Sequence, residues 1–191
     1  MEPIIDERAF ESGRSQTTNT MSFPMVTRWH VLALLVLAAD QISKSAVDLS
    51  TPVGWTSPVT EFFNLVHILN PGAAFSFLAG AGGWQRWFFL AVALAASGWL
   101  SWMLSKPRAS TEAMSFSLIL GGAVGNAVDR AARGHVIDYL DFHLWGWHWP
   151  AFNIADIGIV VGAVLMIATS VLPNRGTAPD ATRVEARNKR A

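Results

Sequence analysis

Two aspartates, Asp138 and Asp156, are the residues of this chain best suited by type and setting to do chemistry. Asp138 sits in the apolar string His135-Val136-Ile137-Asp138-Tyr139-Leu140, and Asp156 heads an apolar run from Ile157 to Leu172. Ionisable groups at the ends of apolar, membrane-length segments are costly, which makes them functional candidates by default. Two carboxylates held close together cannot both ionise readily, so they share a proton. Such a pair can take a proton from water and give one to a carbonyl oxygen. Each residue also has a plainer reading. Asp156 would cap or complement the start of a helix, and Asp138 would be a solvated loop charge.

The surrounding polar positions fall into small groups. Asn153 lies three residues before Asp156, on the same helical face. Asn126, Asp129 and Arg130 stand close to the end of a second apolar run, with Asn126 and Asp129 sharing a face. They read either as interfacial snorkelling with an internal salt bridge, or as a site in which the Arg130 fork holds peptide carbonyls or a lipid phosphate. Asp40 and Lys44, at i, i+4, can pair on one helix face; they neutralise each other in a span, or position the outer loop or substrate. Asp141 reads as mostly solvated. Gly121 with Gly125, and Gly158 with Gly162, suit close contact between helices. That contact would bring Asp129 and Asp156 towards each other.

Other chemistries find little support. There is no cysteine, which excludes disulfides, thiolate metal sites and a cysteine nucleophile. His135, His143 and His148 match no HExxH or other helical ligand pair, so no metal is expected, and the chemistry of a carboxylate pair requires no cofactor. No GxSxG elbow occurs, and Ser43 and Lys44, being adjacent, point apart on a helix. Net charge is zero, leaving no bulk electrostatic case for nucleic-acid binding.

The elements that must position these residues are membrane spans. Of 191 residues, 51% are hydrophobic and 15% charged, well below the roughly 25% usual in soluble domains. Nine tryptophans supply rings of the kind that collect at membrane interfaces. Four runs approach the roughly 20 residues needed to cross hydrocarbon: about 26–47, 84–104, 113–131 and 152–172. Arginines and lysines crowd the N-terminal tail (Arg8, Arg14, Arg28), the short second link (Lys106, Arg108) and the C-terminal tail (Arg175 to Arg190). Between Val47 and Gly83 there are none, and the third link has only Arg133. Both termini are therefore expected in the cytoplasm, with every polar cluster at the outer end.

In the outer segment Asp48–Gly83, Phe62 to Leu69 suggests a short strand, and Asn70-Pro71-Gly72 a turn. The apolar Ala73–Leu78 stretch is expected to move as a lid. The fold class expected is an all-α membrane protein: four transmembrane helices with a small extracytoplasmic β-like or amphipathic segment between helices 1 and 2. Residues 1–24 and 174–191 read as disordered cytoplasmic tails around one domain at 25–173.

Five motifs in order, each weak alone, are specific together. They are Asp40-Gln41-x-x-Lys44, Asn70-x-Gly72-Ala73-Ala74-Phe75-Ser76, Gly121-Gly122-Ala123-x-Gly125-Asn126-x-x-Asp129-Arg130, Gly134-x-Val136-x-Asp138-Tyr139 and Phe152-Asn153-x-Ala155-Asp156. Through them the chain closely resembles the lipoprotein signal peptidase family, also called signal peptidase II, from about Arg28 to Leu172. The resemblance implies a four-span bacterial inner-membrane aspartic endopeptidase acting near the outer face, and a monomer is expected. Its substrates would be diacylglyceryl-modified prolipoproteins, cut just before the lipidated cysteine; membrane lipids would be its other partners, and nucleic acid would not. The family's catalytic pair maps onto Asp138 and Asp156. Asn126, Asp129, Arg130 and Asn153 map onto supporting positions, and Asp40, Lys44, Asn70 and Gly72 onto the outer part of the site. Two positions depart from the family pattern: Tyr139 replaces a common Phe, and Ile157 stands where a small residue often follows the second aspartate. The rival readings are a proton-coupled carrier relaying through Asp129, Asp138 and Asp156, and a non-catalytic membrane scaffold.

Overall fold

The computed structural model describes residues 25–72 and 82–171, with side chains from Arg28 onwards. The expected tails and the Ala73–Leu78 lid lie outside the described residues. Four helices alternate with short strands: α1 (Met25–Ser50), β1 (Thr56–Thr60), β2 (Phe63–Asn70), α2 (Gln85–Leu104), α3 (Ser110–Ala132), β3 (Val136–Leu144), β4 (Trp147–His148) and α4 (Ile154–Val171).

α3 is the central helix, packed against α1, α2 and α4, whereas α1 and α2 barely touch each other. Three helices (α1, α2 and α4) are long and apolar enough to cross a membrane. α3 is equally long but less apolar, because its neighbours bury much of it, including Asn126, Asp129 and Arg130. The bundle is inverted relative to a soluble protein. Leu34 and Leu35 on α1 are more than 60% exposed, while Asp40 and Lys44 on the same helix are fully buried. Such a surface is made for hydrocarbon. An apolar cluster of Ala33, Leu100, Leu104, Ala113, Phe116 and Leu120 closes the bundle away from the strands.

Small residues set the helix spacing. Gly158 and Gly162 on α4 face the α3 backbone at Leu118 and Ser115, so the expected close α3–α4 contact is present. On α3, Gly122 faces the Ala155 backbone of α4 and Gly125 lies against Asp40 and Ala155, while Gly121 faces Ala33 and Val36 of α1. α3 thus offers small residues to two neighbours from adjacent positions.

The four strands form one antiparallel sheet in the order β1-β2-β3-β4. This corrects the all-α expectation, and extends the expected β-like segment beyond the first outer loop. β2 carries the strand expected near Phe62–Leu69, but it pairs with β3 from the third loop, aligning Ile68 with Asp138 and Asn70 with Val136. The start of β3 showed no alternation in sequence because Val136, Ile137, Asp138 and Tyr139 are all buried. α3 gives way to β3 at Gly134, whose φ of 85° suits glycine, and whose N–H meets the Asp129 carbonyl at 3.2 Å. A bridge between Leu140 and Phe152 then carries the sheet to the start of α4.

Candidate active site

The polar residues converge where the sheet meets the ends of α1, α3 and α4. Asp138 is delivered by β3 and is 2% exposed. Asp156 belongs to the first turn of α4, where Asn153 is the N-cap. The Asn153 Oδ1 accepts the Asp156 N–H at 3.0 Å, and the Asp156 Oδ2 accepts the Asn153 N–H at 3.4 Å. This reciprocal cap means that the plain reading of Asp156 is true and still incomplete. Its other oxygen, Oδ1, receives the Asn126 side-chain N–H at 2.8 Å.

Three asparagines aim amide groups at the two carboxylates. Asn70 donates to Asp138 Oδ2 at 2.9 Å, and Asn153 to Asp138 Oδ1 at 2.7 Å. Each amide is oriented by what its oxygen accepts. The Asn70 Oδ1 takes the Gly72 N–H at 3.0 Å, and the Asn126 Oδ1 takes a Lys44 ammonium proton at 2.9 Å. The Asn153 oxygen is held by the α4 backbone, as above. With every oxygen occupied, the NH₂ groups face the carboxylates.

A fully buried ionic cluster lies behind the asparagines. Lys44 meets Asp40 at 2.8 Å and Asp129 at 2.7 Å, and with Asn126 these use its three protons. The remaining Asp40 oxygen accepts the Ala155 N–H at 2.8 Å, tying α1 to the first turn of α4. The Asp40–Lys44 pair is therefore an internal ion pair, as one reading had it, and Asp40 also ties down the start of α4, which neither reading named. Asp129 does not pair with its neighbour Arg130. It takes Lys44 and, at 2.6 Å, Arg133, and also a bond from Gln41 at 3.1 Å. Arg130 donates to the Gly72 carbonyl at 2.8 Å and lies over the Phe89 ring at 5.3 Å.

Burial holds the Asp138 carboxyl up at about 7, with the nearby Asp156 charge adding to the rise; the Asn70 and Asn153 bonds and the Lys44 charge pull the other way. Burial likewise raises the Tyr139 phenol and lowers the His135 imidazole. The structure brings Asp138, Asp156, Asn70, Asn126 and Asn153 together, with Asp40, Lys44, Asp129, Arg130 and Gly72 immediately around them. Asp141 stands apart from this group and is not solvated. It is 6% exposed, bound by Asn64 at 2.9 Å and His148 at 2.9 Å. Its burial depends on β2 and β4 lying on either side of β3, which sequence spacing did not reveal.

Three contributors were missed as site residues. Arg133 also reaches Asp48 at 3.5 Å, and its position four residues after Asp129 was a readable signal. Gln41 bridges Asp129 and the Gly125 carbonyl at 3.1 Å. The Tyr139 hydroxyl lies 2.7 Å from the Ser43 oxygen, so the departure from Phe adds a bond between β3 and α1. Ile157 is 42% exposed.

Comparison with known proteins bears on the family and the fold. A family model described as signal peptidase (SPase) II matches residues 32–172. The chain is 51% identical over 140 residues to a lipoprotein signal peptidase of Ralstonia nicotianae, covering 73% of this chain and 81% of that one. It is 45% identical over 163 residues to a lipoprotein signal peptidase of Burkholderia mallei, covering 85% and 98%. A solved bacterial membrane enzyme superposes with a TM-score of 0.70 at 26% identity, over 80% of this chain and 95% of that one. With its polar centre enclosed by apolar helices and about three quarters of its length matched, the chain belongs to the signal peptidase II family of membrane-bound aspartic peptidases.

Proposed function

We propose that this enzyme removes signal peptides from diacylglyceryl-modified prolipoproteins, cutting just before the lipidated cysteine, with Asp138 and Asp156 as its catalytic dyad. The observation that carries this reading is the pairing of a buried carboxylate, Asp138, and a half-buried one, Asp156, with three oriented asparagine amides. Asp138 held near 7 beside Asp156 supports a pair that keeps one proton at neutral pH. The ionised member takes a proton from a bound water, which attacks the scissile carbonyl. The protonated member donates to the carbonyl oxygen, and the resulting diol collapses as a proton passes to the leaving amine. The proton belongs to the pair and not to one fixed residue.

The asparagines keep both carboxylates in register for this exchange, and Lys44 with Asp40 and Asp129 keeps the asparagines and the α4 start in place. Gly72 and Arg130 form the outer wall. The peptidase domain is residues 25–173, and α3 crosses the membrane with the other three helices. Its 23 residues rise about 34 Å, enough to span hydrocarbon. The distribution of Lys and Arg supports cytoplasmic termini and a site at the outer face of the bacterial inner membrane; the working unit we propose is the monomer.

The test is cleavage by the purified chain in detergent of a prolipoprotein with and without its diacylglyceryl group, beside Asp138→Asn and Asp156→Asn. Cleavage of the lipidated form alone, lost in either folded variant, is the expected result. Cleavage surviving Asp138→Asn would overturn the dyad. A folded wild type that cuts neither substrate would overturn the peptidase reading.

A further inference from the structure

The sheet has an aromatic end that the proposed chemistry does not use. Phe142 and Leu144 share strand parity with Asp138, so they lie on the same face of β3. Register adds to this face. Phe63 pairs with Phe142, Trp147 with Leu144, and Phe152 with Leu140. Phe142 and Phe152 stack at 5.9 Å with their planes 10° apart. Phe62, Phe142, Trp147, Trp149 and Phe152, with Leu144 and His143, line an open cavity of about 540 Å³, a size typical of ligand sites. Several of the lining side chains remain outward-facing: Phe62, Phe142, Leu144, Trp147 and Trp149 are all exposed.

Resting on the function proposed above, we propose that this aromatic cavity seats an acyl chain of the substrate's diacylglyceryl group. Reach supports that occupant. Asp138 and Phe142 are four residues apart on one strand, about 13 Å. From a scissile carbonyl to the first acyl carbons of a lipidated cysteine there are eight or so bonds, roughly 10 Å extended. A peptide whose cut lies at Asp138 therefore brings the start of its acyl chains to the mouth of the cavity. The cavity is also tied to the site through the backbone, since Phe152, one of its lining residues, bridges Leu140 of β3 and lies just before the α4 start carrying Asp156. Its concave lining follows the face of the catalytic strand, which a simple anchor in bulk lipid has no need to do.

The experiment uses the full chain in mixed micelles at fixed mole fraction and in bilayer nanodiscs. Synthetic prolipoprotein peptides carry either two 16-carbon or two 8-carbon acyl chains. Wild type is expected to show a KM about tenfold lower for the long chains, as partial burial of a few methylenes supplies. Phe142→Ala and Trp147→Ala should each bring that ratio to within about twofold, and Phe142→Leu should preserve most of it. A ratio that survives both alanine variants overturns the seat. So does an equal loss on both substrates confined to bilayers, which would make the aromatic end an anchor in bulk lipid. A wild type that cuts both peptides with equal KM removes the seat but leaves the peptidase, whereas one that cuts neither removes both.

Discussion

Asn153 donates to Asp138 at 2.7 Å while its own oxygen accepts the backbone N–H of Asp156 at 3.0 Å. One side chain therefore couples the strand that carries the first carboxylate to the helix that carries the second. The reciprocal cap fixes the α4 start, and the amide transmits that position to β3. Truncating Asn153 to Ala removes both bonds. We expect kcat to fall by about 10²–10³, the range seen when one oriented donor is removed from an active site. Steady-state kinetics on the lipidated substrate would check this, with circular dichroism verifying the fold.

Activity should decline on the alkaline side with an apparent pKa near 7, as the dyad loses its shared proton. Because Asp138 binds its proton more tightly folded than unfolded, its contribution to stability is full below the unfolded value and is lost as pH rises through about 7. Asn70 bonds the ionised form of Asp138 and lowers its pKa. Asn70→Ala should therefore move the alkaline limb of kcat/KM to higher pH. A limb that moves down, or stays in place, would contradict this assignment.

Among the described residues Lys44 is the only cation within 4 Å of Asp40, and both are fully buried. Lys44→Met leaves Asp40 unpaired and strips one of two cations from Asp129. The expected loss is about 3–5 kcal/mol, the usual result of breaking a buried pair from one side. Thermal unfolding in detergent should drop by about 10 °C or more. A double change, Lys44→Met with Asp40→Asn, should recover part of that loss.

A Cβ on Gly122 would overlap the Ala155 carbonyl oxygen. Gly122→Ala must therefore push α3 from α4 and stretch the bond between Asn126 and Asp156. A cost of roughly 1–3 kcal/mol is expected, together with a fall in kcat. Gly98→Ala on α2 is the matched control, since a Cβ there meets nothing within 4 Å. It should be neutral or stabilising by about 0.5–1 kcal/mol.

Trp145 turns the β3–β4 hairpin with φ at 50°, followed by Gly146 at 80°. Both central residues of a two-residue hairpin loop of this kind take positive φ, which favours Asn or Gly over Trp. Trp145→Asn should stabilise the hairpin by about 1 kcal/mol, raising the melting temperature in detergent by about 2–4 °C. Differential scanning fluorimetry would read it.

The sequence by itself determined the helices, because apolar runs of membrane length have few alternatives. It also singled out the aspartates and asparagines beside such runs as candidates for the chemistry, since they have little other reason to be there. The pairing of Asp40 with Lys44 was legible because i, i+4 geometry is local. Tertiary structure alone decided the rest. The sheet is made by two loops far apart in the chain, and β3 is buried on both faces at its start, so no alternation announced it. Asp129 pairs with Lys44 and Arg133 and not with Arg130, because the helix face that meets α1 depends on packing. Asp141 is buried by strands that lie on either side of it. The direction of each asparagine amide depends on donors from other elements: an ammonium on α1, the turn after β2, and the first turn of α4. Sequence names such groups, but only their partners across the fold orient them.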